Sequence, residues 1–153
     1  MIRCINAYLK WAGLPLSVAK LREESKVLPT YTAEQLKRII DFHPKSKSEK
    51  RLHTLILVLI DSGLRIDEAV CLRRYDVNLD QMLLTVKGKG GKERLVPFSF
   101  ELRKALWKFI SKQNSQSDLL FPTRDGRELQ RRNVLRDFKE LVRIWDSHCE
   151  AEP

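Results

Sequence analysis

The chain has 153 residues, 42% of them apolar, enough to fill the core of one ordinary domain with a short appendage. Its 29 Lys and Arg against 20 Asp and Glu give a formal charge of +9, which favours polyanionic partners, nucleic acid ahead of anionic membrane. Three widely spaced cysteines exclude a disulfide framework, and the longest apolar run, 55–60, excludes a membrane span, so a soluble cytoplasmic protein without a secretory leader is expected.

In chain order, Ile5, Tyr8, Leu9 and Ala12 recur at helical spacing until Gly13 and Pro15 end the pattern, which marks residues 1–13 as one short helical piece. Residues 14–28 mix proline with charge and keep no period. They read as a linker, with the compact domain over 29–153. Thr32 and Gln35 stand at capping-box spacing before a helix that places Leu36, Ile39, Ile40 and His43 on one face and stops at Pro44. A second helix, over about 49–62, is apolar on nearly every side along LHTLILVLI and must be central in the core. Gly63 supplies the left-handed residue that closes it, and a new helix starts near Arg65 and runs through Leu72.

Beyond Tyr75, a position assigned to packing, the period becomes alternating. Met82, Leu84 and Val86 alternate with Leu83, Thr85 and Lys87, and ERLVPF extends again after KGKGGK, which makes a β-hairpin with DVNL as a third strand. Ser99 caps a helix carrying Leu102, Leu106, Phe109 and Ile110. LLFPT is a short extended piece, and Val134, Leu135, Phe138, Leu141, Val142 and Trp145 line a last amphipathic helix. The expected fold class is α+β, mainly helical with one small antiparallel sheet.

Two clusters can carry chemistry. Arg65 stands at a helix start, where free backbone N–H groups and a guanidinium together suit a phosphate oxygen, and Glu68, three residues on, is within reach to orient it. The competing reading is a surface ion pair of about 0–1 kcal/mol. In the hairpin, Lys87, Lys89, Lys92 and Arg94 surround a tip holding Gly88, Gly90 and Gly91. A lysine there can enter a DNA groove or protonate a departing alkoxide, and Lys87, Lys92 and Arg94 are candidate DNA contacts. The competing reading is a solvated turn whose charges guard an edge strand. Arg131 and Arg132 open the last helix, where side chains reach phosphates. No cofactor is expected, and the histidines and cysteines show no metal-ligand spacing.

In order and spacing, SGLRIDEAVCLRRYDV, a strand and GKGGKERLVPF, continued by DLLFPTRDGRELQRRNVLRDFKEL, resemble the front of the catalytic domain of tyrosine recombinases, the phage integrase family. The resemblance covers about residues 26–143. RCINAYLKWAG looks like the last helix of that family's N-terminal core-binding domain. By this resemblance Arg65 is the first catalytic arginine, Glu68 its supporting acid, and Lys89 the hairpin lysine that protonates the leaving 5′-oxygen. Ser62 and Asp67 depart from the commoner threonine and serine, and Asp67 adds a negative charge beside the phosphate site.

The family's His-x-x-Arg motif and nucleophilic tyrosine have no match in these residues, since His148 is followed by Cys149, Glu150 and Ala151. Tyr8, Tyr31 and Tyr75 are poor substitutes. The resemblance therefore implies site-specific DNA recombination or integration with duplex DNA as partner, but no strand transfer by this chain alone. Apolar surface left uncovered would favour association with itself or with a full-length recombinase. The rival readings are a noncatalytic DNA-binding protein acting at recombination sites and a basic RNA-binding module.

Overall fold

The computed structural model describes residues 2–19, 30–88, 90–113 and 117–149. The chain divides into two compact units, Met1–Thr32 and Ala33–Pro153. In the first, helix α1 (Ile2–Trp11) ends near Gly13, which takes a left-handed φ of 67°. The Asn6 carboxamide then clips the following segment back: its nitrogen donates to the Val18 carbonyl at 3.0 Å and its oxygen accepts from the Val18 N–H at 2.8 Å. Tyr8 and Trp11 are exposed, with ring centroids 5.9 Å apart. Residues 20–28 of the expected linker lie outside the described residues.

The second unit holds the core. Helix α2 (Ala33–Asp41) buries Ile39, while Ile40, expected on the same face, is exposed together with His43. Helix α3 (Lys47–Ser62) begins two residues earlier than its apolar pattern suggests, because Ser46 and Glu49 form a capping box. The Ser46 hydroxyl accepts from the Glu49 N–H at 3.1 Å, and the Glu49 carboxylate accepts from the Ser46 N–H at 3.4 Å. Leu55 and Val58 have no exposed surface, and burial of each such side chain contributes about 1.5–3 kcal/mol. The helix is central on one side only: Ile60 is 39% exposed and Leu57 and Leu59 are half-buried. Gly63 closes α3 at φ 63° and ψ 22°, its N–H donating to the Leu59 carbonyl at 3.1 Å.

Helix α4 (Ile66–Val70) ends two residues earlier than its apolar residues suggest. Leu72 leaves the helix because it has another partner. Its carbonyl accepts from the Leu120 N–H at 2.8 Å, the Arg74 N–H donates to the Asp118 carbonyl at 2.8 Å, and Arg73 bridges Leu119 between them. A 3-10 turn (Arg74–Asp76) follows, with Asp76 buried and accepting from the Arg73 N–H at 2.8 Å. Tyr75 is not a packing residue. Asp76 takes the inward position of the turn, which leaves Tyr75 66% exposed with the Arg73 guanidinium 5.8 Å from its ring centroid.

Strands β1 (Val77–Asn78), β2 (Leu83–Lys87) and β3 (Glu93–Pro97) form an antiparallel sheet in that order. Leu84 and Val86 point into the core as their alternation requires, whereas Met82, with φ 55°, belongs to the preceding turn. Ser99 caps α5 (Phe100–Ser111), its hydroxyl accepting from the Leu102 N–H at 3.2 Å, and the Ser99 N–H donates to the Asp61 carboxylate at 2.8 Å, tying α5 to the end of α3. Helix α6 (Arg131–Cys149) buries Val134 and Leu141. Leu135 points away from that face and is 45% exposed, and the Trp145 side chain lies outside what is described. Mainly helical with one small antiparallel sheet, the architecture is the α+β class its patterns predict.

Candidate functional site

Gly63 and the short loop after it place Arg65 immediately before α4, in extended conformation at φ −70° and ψ 147°. Arginine has no acceptor, so only half a capping box can form: the Glu68 carboxylate accepts from the Arg65 N–H at 3.0 Å. That amide is therefore not free for a ligand, and a five-residue helix adds little dipole. What remains available is the side chain. The Arg65 side chain is 82% exposed, its guanidinium only loosely paired with Glu68 at 3.6 Å.

Glu68 is the centre of the arrangement. Two further bonds come from Arg94 on β3, Nη1 to Oε1 at 3.0 Å and Nη2 to Oε2 at 2.8 Å, a bidentate pair joining residues 26 positions apart. The Glu68 side chain is 11% exposed. The Arg94 fork, then the Arg65 N–H, hold its carboxyl well below the usual range, at about 2. The neighbouring Asp67 reaches the other way, to Arg131 at the start of α6, at 3.7 Å. The acidic pair thus braces α4 against the hairpin on one side and against α6 on the other.

Lys87 faces Glu93 across the hairpin at 3.5 Å, both exposed, and Lys92 is exposed at the neck, where its carbonyl accepts from the Gly88 N–H at 2.8 Å. Gly90 and Gly91 take left-handed φ values of 81° and 75° in the tip. Lys89 lies outside the described residues. Arg132 is exposed beside Arg131. The structure thus gathers Arg65, Glu68 and Arg94 in direct contact and links Arg131 through Asp67.

The Glu68–Arg94 pair escaped sequence reading, which placed Arg94 among the DNA contacts. Its register was nevertheless legible: Arg94 shares a face of β3 with Val96, opposite Val86, although its own side chain stays 43% exposed. Between α4 and α6 lies an open cleft lined by Asp67, Cys71, Glu128 and Arg131. Cys71 donates its S–H to the Glu128 carboxylate at 2.9 Å. Burial and then that carboxylate push the thiol up to about 11, which keeps it protonated and unreactive at neutral pH. Among the described residues no group of His, Cys, Asp and Glu could hold a metal ion, and no helix is long and apolar enough to cross a membrane.

Comparison with known proteins gives a concordant result. The model of the phage integrase family matches residues 29–150. The tyrosine recombinase XerA of Pyrococcus furiosus is 32% identical over 150 residues, covering 94% of this chain and 52% of that protein. XerA of Thermococcus kodakarensis is 31% identical over 124 residues, covering 78% of this chain and 43% of that protein. The chain therefore spans about half the length of the curated relatives it matches. Among solved structures, the Tn1549 transposon integrase in complex with circular intermediate DNA shares the fold with a TM-score of 0.77 at 16% identity, over 96% of this chain and 55% of that one. A crystal structure of XerA recombinase gives 0.67 at 21% identity, over 95% and 52%.

Proposed function

We propose, from the premise that this chain belongs to the phage integrase family of tyrosine recombinases, that it binds duplex DNA through backbone phosphates and carries the front part of a phosphoryl-transfer site. Residues 1–13 are then a helix of a core-binding domain, 14–28 a linker and 29–153 part of the catalytic domain. Arg65 holds the scissile phosphate and offsets the charge that grows on its oxygens. Glu68 supports Arg65, and Lys89 is the acid that protonates the leaving 5′-oxygen. Lys87, Lys92, Arg131 and Arg132 add phosphate contacts that fix the duplex without reading its sequence.

The observation that carries this reading is the unequal treatment of two arginines by one carboxylate: Arg94 is held by two short bonds, whereas Arg65 is 82% exposed at 3.6 Å. A guanidinium anchored through its own backbone, with its fork left open, suits a bidentate phosphate contact. The relatives named as recombinases and the integrase solved with DNA support the choice of duplex DNA as the ligand. A tetramer of lambda integrase on a Holliday junction, of the same fold, supports self-association as the way the exposed Leu95, Trp107 and Leu135 are covered.

The sequence holds no His-x-x-Arg motif, and no tyrosine among the described residues is placed beside Arg65 as a nucleophile, so binding without strand transfer is the behaviour proposed for this polypeptide alone. Two measurements test it together. Affinity for a labelled duplex should fall steeply with salt, and a suicide DNA substrate should give no covalent adduct. An adduct, at the exposed Tyr75 for instance, would overturn the inactive reading. Salt-independent binding, or preference for RNA over duplex DNA, would overturn the phosphate reading in favour of a basic RNA-binding module.

A further inference from the structure

We infer that Arg94 is a positioning residue rather than a DNA contact: it anchors Glu68 from the hairpin, so that the Arg65 guanidinium stays free for a phosphate. This rests on the reading that Arg65 meets phosphate, and it changes what the hairpin is for.

The argument begins with position. Arg94 stands directly opposite Val86, which is 1% exposed, on the side of the sheet that faces the core. The side chain, 43% exposed, is turned by this register toward Glu68 rather than outward from the tip. It reaches α4 close beside the hairpin neck, where a Cβ built on Gly88 would stand 3.5 Å from Nη1. The neck itself is closed by the Gly88 N–H to Lys92 carbonyl bond at 2.8 Å. Anchoring Glu68 therefore also fixes the base of the tip that carries Lys89.

The second step is competition for one carboxylate. Glu68 accepts three bonds of 2.8–3.0 Å, two from the Arg94 fork and one from the Arg65 amide. The Arg65 guanidinium, at 3.6 Å, is beyond hydrogen-bond distance and keeps all five of its donors for another ligand. Remove the Arg94 fork and the balance reverses. The freed carboxylate lies three residues from Arg65 with no cation closer, so it draws the Arg65 guanidinium into a pair of its own and cancels the charge a phosphate would meet. Arg94 thus acts on DNA binding through Glu68 and Arg65, and lysine cannot replace it, because a single ammonium does not span both carboxylate oxygens in one plane.

A double-variant cycle on the 153-residue protein tests this. Duplex affinity is read by fluorescence anisotropy across a salt series, and Glu68 is titrated by carbon NMR of its carboxyl. Arg94→Ala should weaken binding about tenfold, the effect of withdrawing a close phosphate contact, and should move the Glu68 titration upward from about 2. Adding Glu68→Gln to Arg94→Ala should restore most of the affinity, because the competing charge is gone. Arg94→Lys keeps the charge and tolerates the fold, and it should still raise the Glu68 titration. If the double variant binds as weakly as Arg94→Ala, with a salt slope about one unit shallower than the parent, Arg94 is itself a phosphate contact and the proposal fails. An unmoved Glu68 titration in both Arg94 variants overturns the anchoring directly. Should Arg65→Ala bind as tightly as the parent, the phosphate reading of Arg65 falls on its own, while the titration still decides whether Arg94 anchors Glu68.

Discussion

Replacing Arg65 by alanine should remove one counterion-releasing contact, and the size of that change follows from the arrangement of charges. With Arg94 committed to Glu68, six candidate cations remain: Arg65, Lys87, Lys89, Lys92, Arg131 and Arg132. If each meets a phosphate, log K falls against log salt with a slope of about −5.4, at about 0.9 per contact on duplex DNA. Between about 50 and 200 mM salt the affinity of the parent protein then drops roughly 1,800-fold, and that of Arg65→Ala roughly 500-fold. The gap between the two should therefore narrow about 3.5-fold across the range, a difference that anisotropy titrations resolve. Lys87 and Arg131 begin in weak exposed pairs with Glu93 and Asp67, at 3.5 and 3.7 Å, and exchanging those partners for phosphate costs little. Parallel salt plots for the two proteins would refute the reasoning, because they would mean that the exposed guanidinium never touches the backbone.

Three further outcomes follow from the fold. Leu55→Ala empties a site with no exposed surface between α3 and its neighbours and should cost about 2–5 kcal/mol in urea unfolding; a cost below about 1 kcal/mol would show that the core collapses around it. Gly63→Ala should cost about 1 kcal/mol from the left-handed φ of 63° alone, since an added Cβ meets nothing within 4 Å, and a neutral result would mean that the loop before Arg65 rearranges. Stability should also decline on the acid side in two stages. Burial pushes the His53 imidazole below its usual 6.5, so its contribution is complete above pH 6.5 and erodes as pH falls toward the lower folded value. Glu68, lowered from 4.5 to about 2, contributes fully above 4.5 and loses that contribution as pH falls through about 2. Urea midpoints that rise on acidification from neutral pH would contradict both signs.

Local pattern was enough wherever one residue type has one physical use. Gly63 as a left-handed stop, Ser99 as a cap, and Leu84 with Val86 as the inner face of a hairpin strand were all legible. The misreadings share a cause in contacts far along the chain. Helix α4 stops at Val70 because residues 72–74 pair with 118–120, and nothing near Leu72 announces that partner. Tyr75 and Leu135 carry apolar rings or chains on faces that the turn and the helix direct outward. The site divides in the same way. Arg65 and Glu68 are three residues apart and were paired from spacing, whereas Arg94 was counted with the hairpin lysines by charge, although its alternation with Val96 already set it on the other face.

Helix α4 has five residues, too few for a helix to sustain itself in water, where the first turn costs more order than its single hydrogen bond returns. Its existence therefore depends on ties made elsewhere: Ala69 and Val70 are buried in the core, and Glu68 accepts two bonds from Arg94 across 26 positions of chain. Helix α4 and the backbone of Arg65 before it are therefore ordered only together with the elements they pack against. Backbone amides of α4 should exchange with solvent well before those in the middle of α3. On the proposed reading, a grip on DNA through Arg65 would then report on whether residues far apart in the chain, Glu68 and Arg94 among them, have met.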